Sequence, residues 1–175
     1  MPLYEVEHVC PLTVSQQDDL AAAITRIHAE KFTTPKLFVN VRFTNVSEQV
    51  LYVAGKRRNT NRIIASVRPG ASRSQADYAD LCRQIEEAWA EVVPLPQVKR
   101  SMPVPDTELR AVFVLGSITA GTEAGFALPQ AGQDVSWLEE NMTAFQAKAD
   151  AGDAEFRDLV EEVRTRGLIK GVDGR

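Results

Sequence analysis

The chain has 175 residues, 44% of them hydrophobic and 25% charged, with a formal net charge of -4. This is an ordinary globular mixture for one domain or two small fused repeats, and its acidic balance argues against nucleic acid or an anionic membrane surface as the main partner. The first residues lack the basic and apolar regions of a signal peptide, and no apolar run reaches the roughly 18 residues of a membrane span, so a soluble, cytoplasmic protein is expected.

Leu3–Val9, LYEVEHV, alternates apolar and polar residues as a half-buried strand does. Pro2 stands just before it. A proline is tolerated at the first position of a strand, but with Met1 removed this one would carry a free secondary amine. Tyr4 is expected on the strand face opposite Pro2, and His8 to be exposed or structural. Cys10 and Cys82 have no metal-ligand spacing and read as reduced core residues.

Thr13 with Gln16 three residues on is a capping-box pattern. It opens a helix predicted from Val14 to about Lys31, with Leu20, Ala23, Ile24 and Ile27 at helical spacing. Leu37–Thr44, LFVNVRFT, is predicted as a strand from its period of two and its β-branched and aromatic content. A hairpin-like region follows, with LYVAG as one arm, KRRNTN as the turn and RIIASV as the other arm. Its basic cluster, Lys56, Arg57, Arg58 and Arg62, reads as a solvated loop, a substrate-gating loop being the sharper alternative.

Ser74 and Asp77 form a second cap, ahead of a helical stripe of Tyr78, Leu81, Cys82, Ile85, Trp89 and Val92 that runs to about Val93. PLPQVKRSMPVPD reads as a linker. Leu109–Gly116, LRAVFVLG, is a further strand, apolar in its middle and so expected to be buried. The order strand–helix–strand, strand–helix–strand gives an α+β fold: two consecutive βαβ units, a mixed four-stranded sheet and both helices on one face. The glycine-rich stretch GSITAGTEAGFALPQAGQD is too long for a mere connector and is expected to be functional. Two helices close the chain, one from about Val135 to Ala149 and one capped by Asp153 and ended at Arg166 by Gly167. Their apolar residues Met142, Phe145, Phe156, Leu159, Val160 and Val163 need a partner, and a neighbouring subunit is one candidate.

An ordered set of residues carries a family resemblance. Pro2 starts the first strand, His28 lies in ITRIHAE near the end of the first helix, Arg68 and Arg73 lie in SVRPGASRS, and Glu123 lies in the loop after the last core strand, ahead of a tryptophan-led helix. In this the chain resembles the tautomerase superfamily, and within it the branch of cis-3-chloroacrylic acid dehalogenase and its uncharacterised homologues. The resemblance runs from Pro2 to about Ala149. It implies a tautomerase-like domain over residues 1–149, with 150–175 as a helical extension, and assembly as a homotrimer. It further implies that Pro2, freed of Met1, is the general acid or base. His28, Arg68 and Arg73 would hold a substrate carboxylate, and Glu123 would activate water. Thr34 and Phe38 would line the substrate pocket, with Val114 at a further substrate-binding position, and Tyr4 is a candidate substrate contact from its place near Pro2. No metal and no organic cofactor is implied.

The chemistry is coherent on its own terms. An α-amine has a reference pKa of roughly 7.7–8.0, which burial and neighbouring cations lower, and a general base works best near the operating pH. Arginine binds carboxylates bidentately, and a glutamate can take a proton from water. Two departures bear on the reaction. The arginines are five residues apart instead of the dehalogenase's three, and Val114 stands where the dehalogenase has a tyrosine. Tautomerisation or hydration of a small unsaturated or 2-oxo carboxylate therefore ranks above dehalogenation. The alternatives are a bulkier biosynthetic substrate covered by the C-terminal helices, or a non-catalytic oligomeric binding module that keeps Met1.

Overall fold

The computed structural model describes residues 1–93 and 106–169. The linker expected at PLPQVKRSMPVPD lies outside the described residues except for Asp106. The chain forms β1 (Leu3–His8), α1 (Val14–Phe32), a 3-10 turn (Lys36–Phe38), β2 (Asn40–Asn45), β3 (Leu51–Val53), β4 (Lys56–Arg58), β5 (Asn61–Ser66) and α2 (Gln75–Val92). It continues with β6 (Leu109–Leu115), β7 (Thr122–Glu123), β8 (Phe126–Ala127), α3 (Asp134–Asp150) and α4 (Ala154–Thr165).

Four strands make one sheet in the order β2-β1-β5-β6. β1 runs parallel to β2 and antiparallel to β5, and β5 runs parallel to β6, which is the expected mixed sheet of two βαβ units. Both capping boxes form. Thr13 Oγ1 accepts from the Gln16 amide while Gln16 Oε1 accepts from the Thr13 amide, and Ser74 and Asp77 repeat the exchange. The apolar faces of α1 and α2 then pack on one side of the sheet. There Leu20, Ile24, Leu81, Ile85 and Trp89 bury Tyr4, Val6, Ile63 and Ala65.

Asn61 is wholly buried and ties the sheet's end together. Its Oδ1 accepts from the Val9 and Cys10 amides, and its Nδ2 donates to the Asp106 and Glu108 carbonyls. All four of its hydrogen-bonding sites are used, which is what a buried amide requires. Cys10 is buried and Cys82 half-buried, both as free thiols.

Several expectations need correction. Tyr4 is not on the face opposite Pro2. Positions two apart share a strand face, and Tyr4, Val6 and His8 are all buried toward the helices. His8 has the structural of its two expected roles, its Nδ1 meeting the Cys10 carbonyl at 2.8 Å. The strand predicted from Leu37 begins at Asn40, because Leu37 and Phe38 turn away from the sheet into a second apolar cluster.

The hairpin is displaced too. Its turn is Ala54-Gly55, with φ of 51° and 71°, and not KRRNTN. Two adjacent residues at positive φ match the twist of a tight two-residue hairpin. Lys56–Arg58 are its exposed second arm, while Arg62 belongs to β5 and pairs with Glu7. Only one face of β6 is covered, so Phe113 and Leu115 are 51% and 47% exposed rather than buried.

The closing helices find their partner within the chain. Phe145 of α3 and Phe156, Leu159, Val160 and Val163 of α4 are buried together with Phe38, Leu138 and Met1. Asp153 caps α4 through the Glu155 and Phe156 amides. Gly167, at φ 58°, ends it, with the Leu168 amide reaching back to the Val163 carbonyl.

Candidate active site

β1 places the start of the chain at the sheet's centre, between the first core and the second apolar cluster. The Pro2 carbonyl accepts from the Asn40 amide at 3.1 Å, which fixes the entry to the strand. One row of the helix-facing side runs Val41, Tyr4, Ala65 and Val114 across the four strands. Val114 stands in this row, half-buried against the first core.

Tyr4 Oη lies 2.7 Å from His28 Nδ1, and both side chains have 0% exposure. Burial raises the Tyr4 pKa, so the phenol stays protonated. Burial first, and then the charge of Arg73, lower His28 to about 3, so its ring is neutral near pH 7. When the phenol donates to Nδ1, the proton of the ring sits on Nε2, which is buried without a hydrogen-bond partner.

This depressed pKa has a consequence for stability. The unfolded chain protonates His28 below about 6.5, while the folded chain resists down to about 3. Stability from this group is complete above pH 6.5 and is lost as pH falls toward 3, by up to about 1.4 kcal/mol per pH unit. Denaturant midpoints measured between pH 7 and pH 4 should show that slope, and His28→Gln should reduce it.

The two arginines flank a turn between β5 and α2. The Arg73 amide donates to the Gly70 carbonyl and Arg73 Nη1 donates to the Arg68 carbonyl, both at 3.1 Å. The five-residue spacing is therefore folded back on itself. Arg73 lies 4.3 Å above the Phe32 ring, and Phe32 in turn packs 4.9 Å from the His28 ring. Burial, and after it the charge of Arg68, lower the Arg73 pKa. Among the described residues Arg73 Nη2 is buried without a hydrogen-bond partner.

Arg68 is held more firmly. Its Nη1 donates to the Pro129 and Gln130 carbonyls, and its Nη2 pairs with Asp134 Oδ1 at 2.6 Å. Asp134 opens α3, is 4% exposed, and stands 3.5 Å from the Thr34 hydroxyl. It went unnoticed in the sequence because an acidic residue in a first helical turn ordinarily serves the helix dipole. Asn40 was also missed. Its Nδ2 donates to Glu123 Oε1 at 3.2 Å, and Glu123 is raised in pKa by burial.

The loop before α3 is pressed onto the arginine turn. A methyl group on Gly70 would stand 2.8 Å from the Ala131 side chain, and one on Gly132, which sits at φ 88°, would stand 2.6 Å from Ser72 Oγ. Gly70→Ala should push this loop outward and cost about 1–3 kcal/mol, the usual toll of overpacking, read as a lower denaturant midpoint.

The chain's α-amine reports where these groups converge. The Met1 amine is depressed to about 5, chiefly by burial and then by Arg68 and Arg73, with Asp134 and Glu123 acting in the opposite sense. Arg68, Asp134, Arg73 and His28 thus form one buried polar neighbourhood, at 5%, 4%, 8% and 0% exposure, linked through the Arg68–Asp134 pair, the Arg68 carbonyl and the Phe32 ring. Phe38 stands in the adjoining apolar cluster, edge-on to Trp137 at 5.1 Å. Four polar atoms of the pocket are buried without partners, namely His28 Nε2, Arg68 Nε, Arg73 Nη2 and Asp134 Oδ2. Such atoms are costly to leave unmade, and together they can receive an anionic ligand and a proton.

A family model described as "Putative oxalocrotonate tautomerase enzyme" matches residues 1–142. Among solved structures, the chain is similar to N1, a member of the cis-3-chloroacrylic acid dehalogenase family, with a TM-score of 0.63 and 24% identity over 90% of this chain and 99% of that one. It is also similar to the F6 fused 4-OT, described as a wild-type asymmetric trimer, with a TM-score of 0.53 and 18% identity over 75% and 96% of the two chains. Leishmania major MIF2 gives a TM-score of 0.53 and 16% identity over 73% and 97%. At these identities the structures share the fold. No curated protein matches the chain.

Proposed function

The chain belongs to the oxalocrotonate tautomerase family, and from that premise we propose that it is a tautomerase-type enzyme whose Pro2, once Met1 is removed, is the general acid or base. What supports this reading is the family match together with the place of Pro2, buried at the start of β1 and one residue from the Met1 amine, which lies in the field of Arg68 and Arg73. An amine held below its free value is unprotonated near neutral pH and can take a proton from the carbon next to a carbonyl.

The substrate is a small carboxylate with a C=C bond, an enol or a 2-oxo group. Its carboxylate takes the unpartnered Arg73 Nη2 and Arg68 Nε. His28 Nε2–H donates to the oxygen on which charge develops, which a neutral imidazole can do without losing its own proton. Glu123, raised in pKa and steered by Asn40, receives or returns a second proton, or activates water for hydration. Because Arg68 already engages Asp134, Arg73 bears most of the substrate charge. Val114 offers no hydroxyl to assist water, which favours tautomerisation over dehalogenation.

The open sheet face, with Phe113 and Leu115 exposed beside the Glu5–Arg42 and Glu7–Arg62 pairs, supports association of the chain as a homotrimer. The test of the function begins with the intact mass. The protein should lack one methionine. An amine-directed reagent at pH 6–7 should label Pro2 ahead of the lysines, and enol tautomerisation should fall in proportion to the label. Full activity in labelled or methionine-bearing protein would overturn the reading.

A further inference from the structure

Met1 occupies a place with chemical meaning. Its side chain is 5% exposed and belongs to the apolar cluster built from α3, α4 and Phe38, with Leu138 and Phe145 wholly buried beside it. Its amine lies in the field of Arg68, Arg73, Asp134 and Glu123. One residue therefore joins a charged neighbourhood to an apolar cluster, and its side chain fills part of that cluster.

We infer that the space held by the Met1 side chain is a binding site for the apolar substituent of the substrate, which makes the ligand a monocarboxylate with an extended, unbranched tail. The inference rests on the proposed removal of Met1, and it adds what that proposal leaves open, the substrate class. The charged end is set by Arg68 Nε and Arg73 Nη2, buried and unpartnered. The apolar end is set by the walls. Phe38, Phe126, Trp137, Phe145 and Phe156 stack on one another with ring centroids 4.7 to 6.5 Å apart, mostly tilted or edge-on. Interlocked rings of this kind make a rigid lining that does not collapse readily when a chain of methylene size is withdrawn. A methionine side chain extends four heavy atoms beyond its Cα, and that sets the length of the tail. A second carboxylate at the far end of the ligand would have to be desolvated among these apolar walls without a partner, which disfavours a dicarboxylate. α3 and α4 thus have a role in selecting the substrate, since they build the apolar wall.

The probe is a series of saturated straight-chain monocarboxylates, butanoate to octanoate, titrated calorimetrically into the methionine-free full chain. Affinity should rise about fourfold per methylene, the equivalent of ~0.8 kcal/mol, and level off near six or seven carbons when the space is full. The same protein with Met1 retained, made by inhibiting methionine removal during expression, should lose the series. A flat series overturns the inference, as does an equal series with Met1 in place. The two proposals fail separately. If Pro2 proves dispensable while the length dependence persists, the catalytic reading falls and the pocket stands. If Pro2 is essential but the series is flat, only the tail site falls.

Discussion

Replacing Pro2 with alanine should lower kcat/KM on a small enol carboxylate by about 10²-fold, near the lower end of what a positioned general acid or base contributes. Alanine keeps an α-amine in the same field, so the loss reflects position and basicity rather than absence of the group. The proline ring fixes φ and leaves the nitrogen little freedom to swing away from Arg73. Pro2 is buried one residue from the Met1 amine, which burial and the two guanidinium groups depress, so a Pro2 amine placed in the same field should put the acid limb of the wild-type pH–rate profile below the roughly 7.7–8.0 of a free amine. The neighbours then move that limb in opposite directions. Arg73→Gln removes a charge that depresses the amine and should shift the limb upward. Asp134→Asn removes a charge that raises it and should shift the limb downward. Steady-state rates from pH 4 to pH 9 on the three variants read all of this. Wild-type activity in Pro2→Ala would end the proline mechanism.

Asp134→Ala should be the most destabilising substitution in the pocket, at about 3–5 kcal/mol. It strands the buried Arg68 guanidinium without its counter-charge, and an uncompensated buried charge is expensive. For a chain of this size that corresponds to a fall of roughly 6–20 °C in Tm. The pair itself need not be a net stabiliser, since desolvating both ions offsets much of their attraction. The double variant Arg68→Met with Asp134→Leu should therefore recover most of the loss. Thermal unfolding of the single and double variants completes the cycle. A cost under about 1 kcal/mol for Asp134→Ala would mean that water reaches Arg68 freely.

These effects depend on pieces of chain far apart in sequence, and that separates what the sequence could show from what it could not. The strands, the two capped helices and the mixed sheet were readable because each rests on local signals: a period of two, a period near 3.6, and Thr13 or Ser74 three residues before a side chain that returns its hydrogen bond. Pro2, His28, Arg68, Arg73 and Glu123 were readable as an ordered set of amine, imidazole, guanidinium and carboxylate groups.

The errors have different origins. Leu37 and Phe38 look like the start of a strand, yet the cluster of α3 and α4 claims them, so packing between distant elements overrode the local pattern. Phe113 looks buried, yet no described element covers its side of the sheet. KRRNTN looks like a turn, yet the local Ala54-Gly55 pair at positive φ makes the tighter one. The sequence by itself determined which elements form and which reactive groups the chain carries, because capping and periodicity act within a few residues. Only the tertiary structure decided that Asp134 takes one edge of Arg68, that Asn40 donates to Glu123, and that the Met1 side chain packs into the cluster of α3 and α4. The Arg68–Asp134 and Asn40–Glu123 pairings join residues 66 and 83 positions apart, and burial, which sets their energies, exists only once the layers have closed.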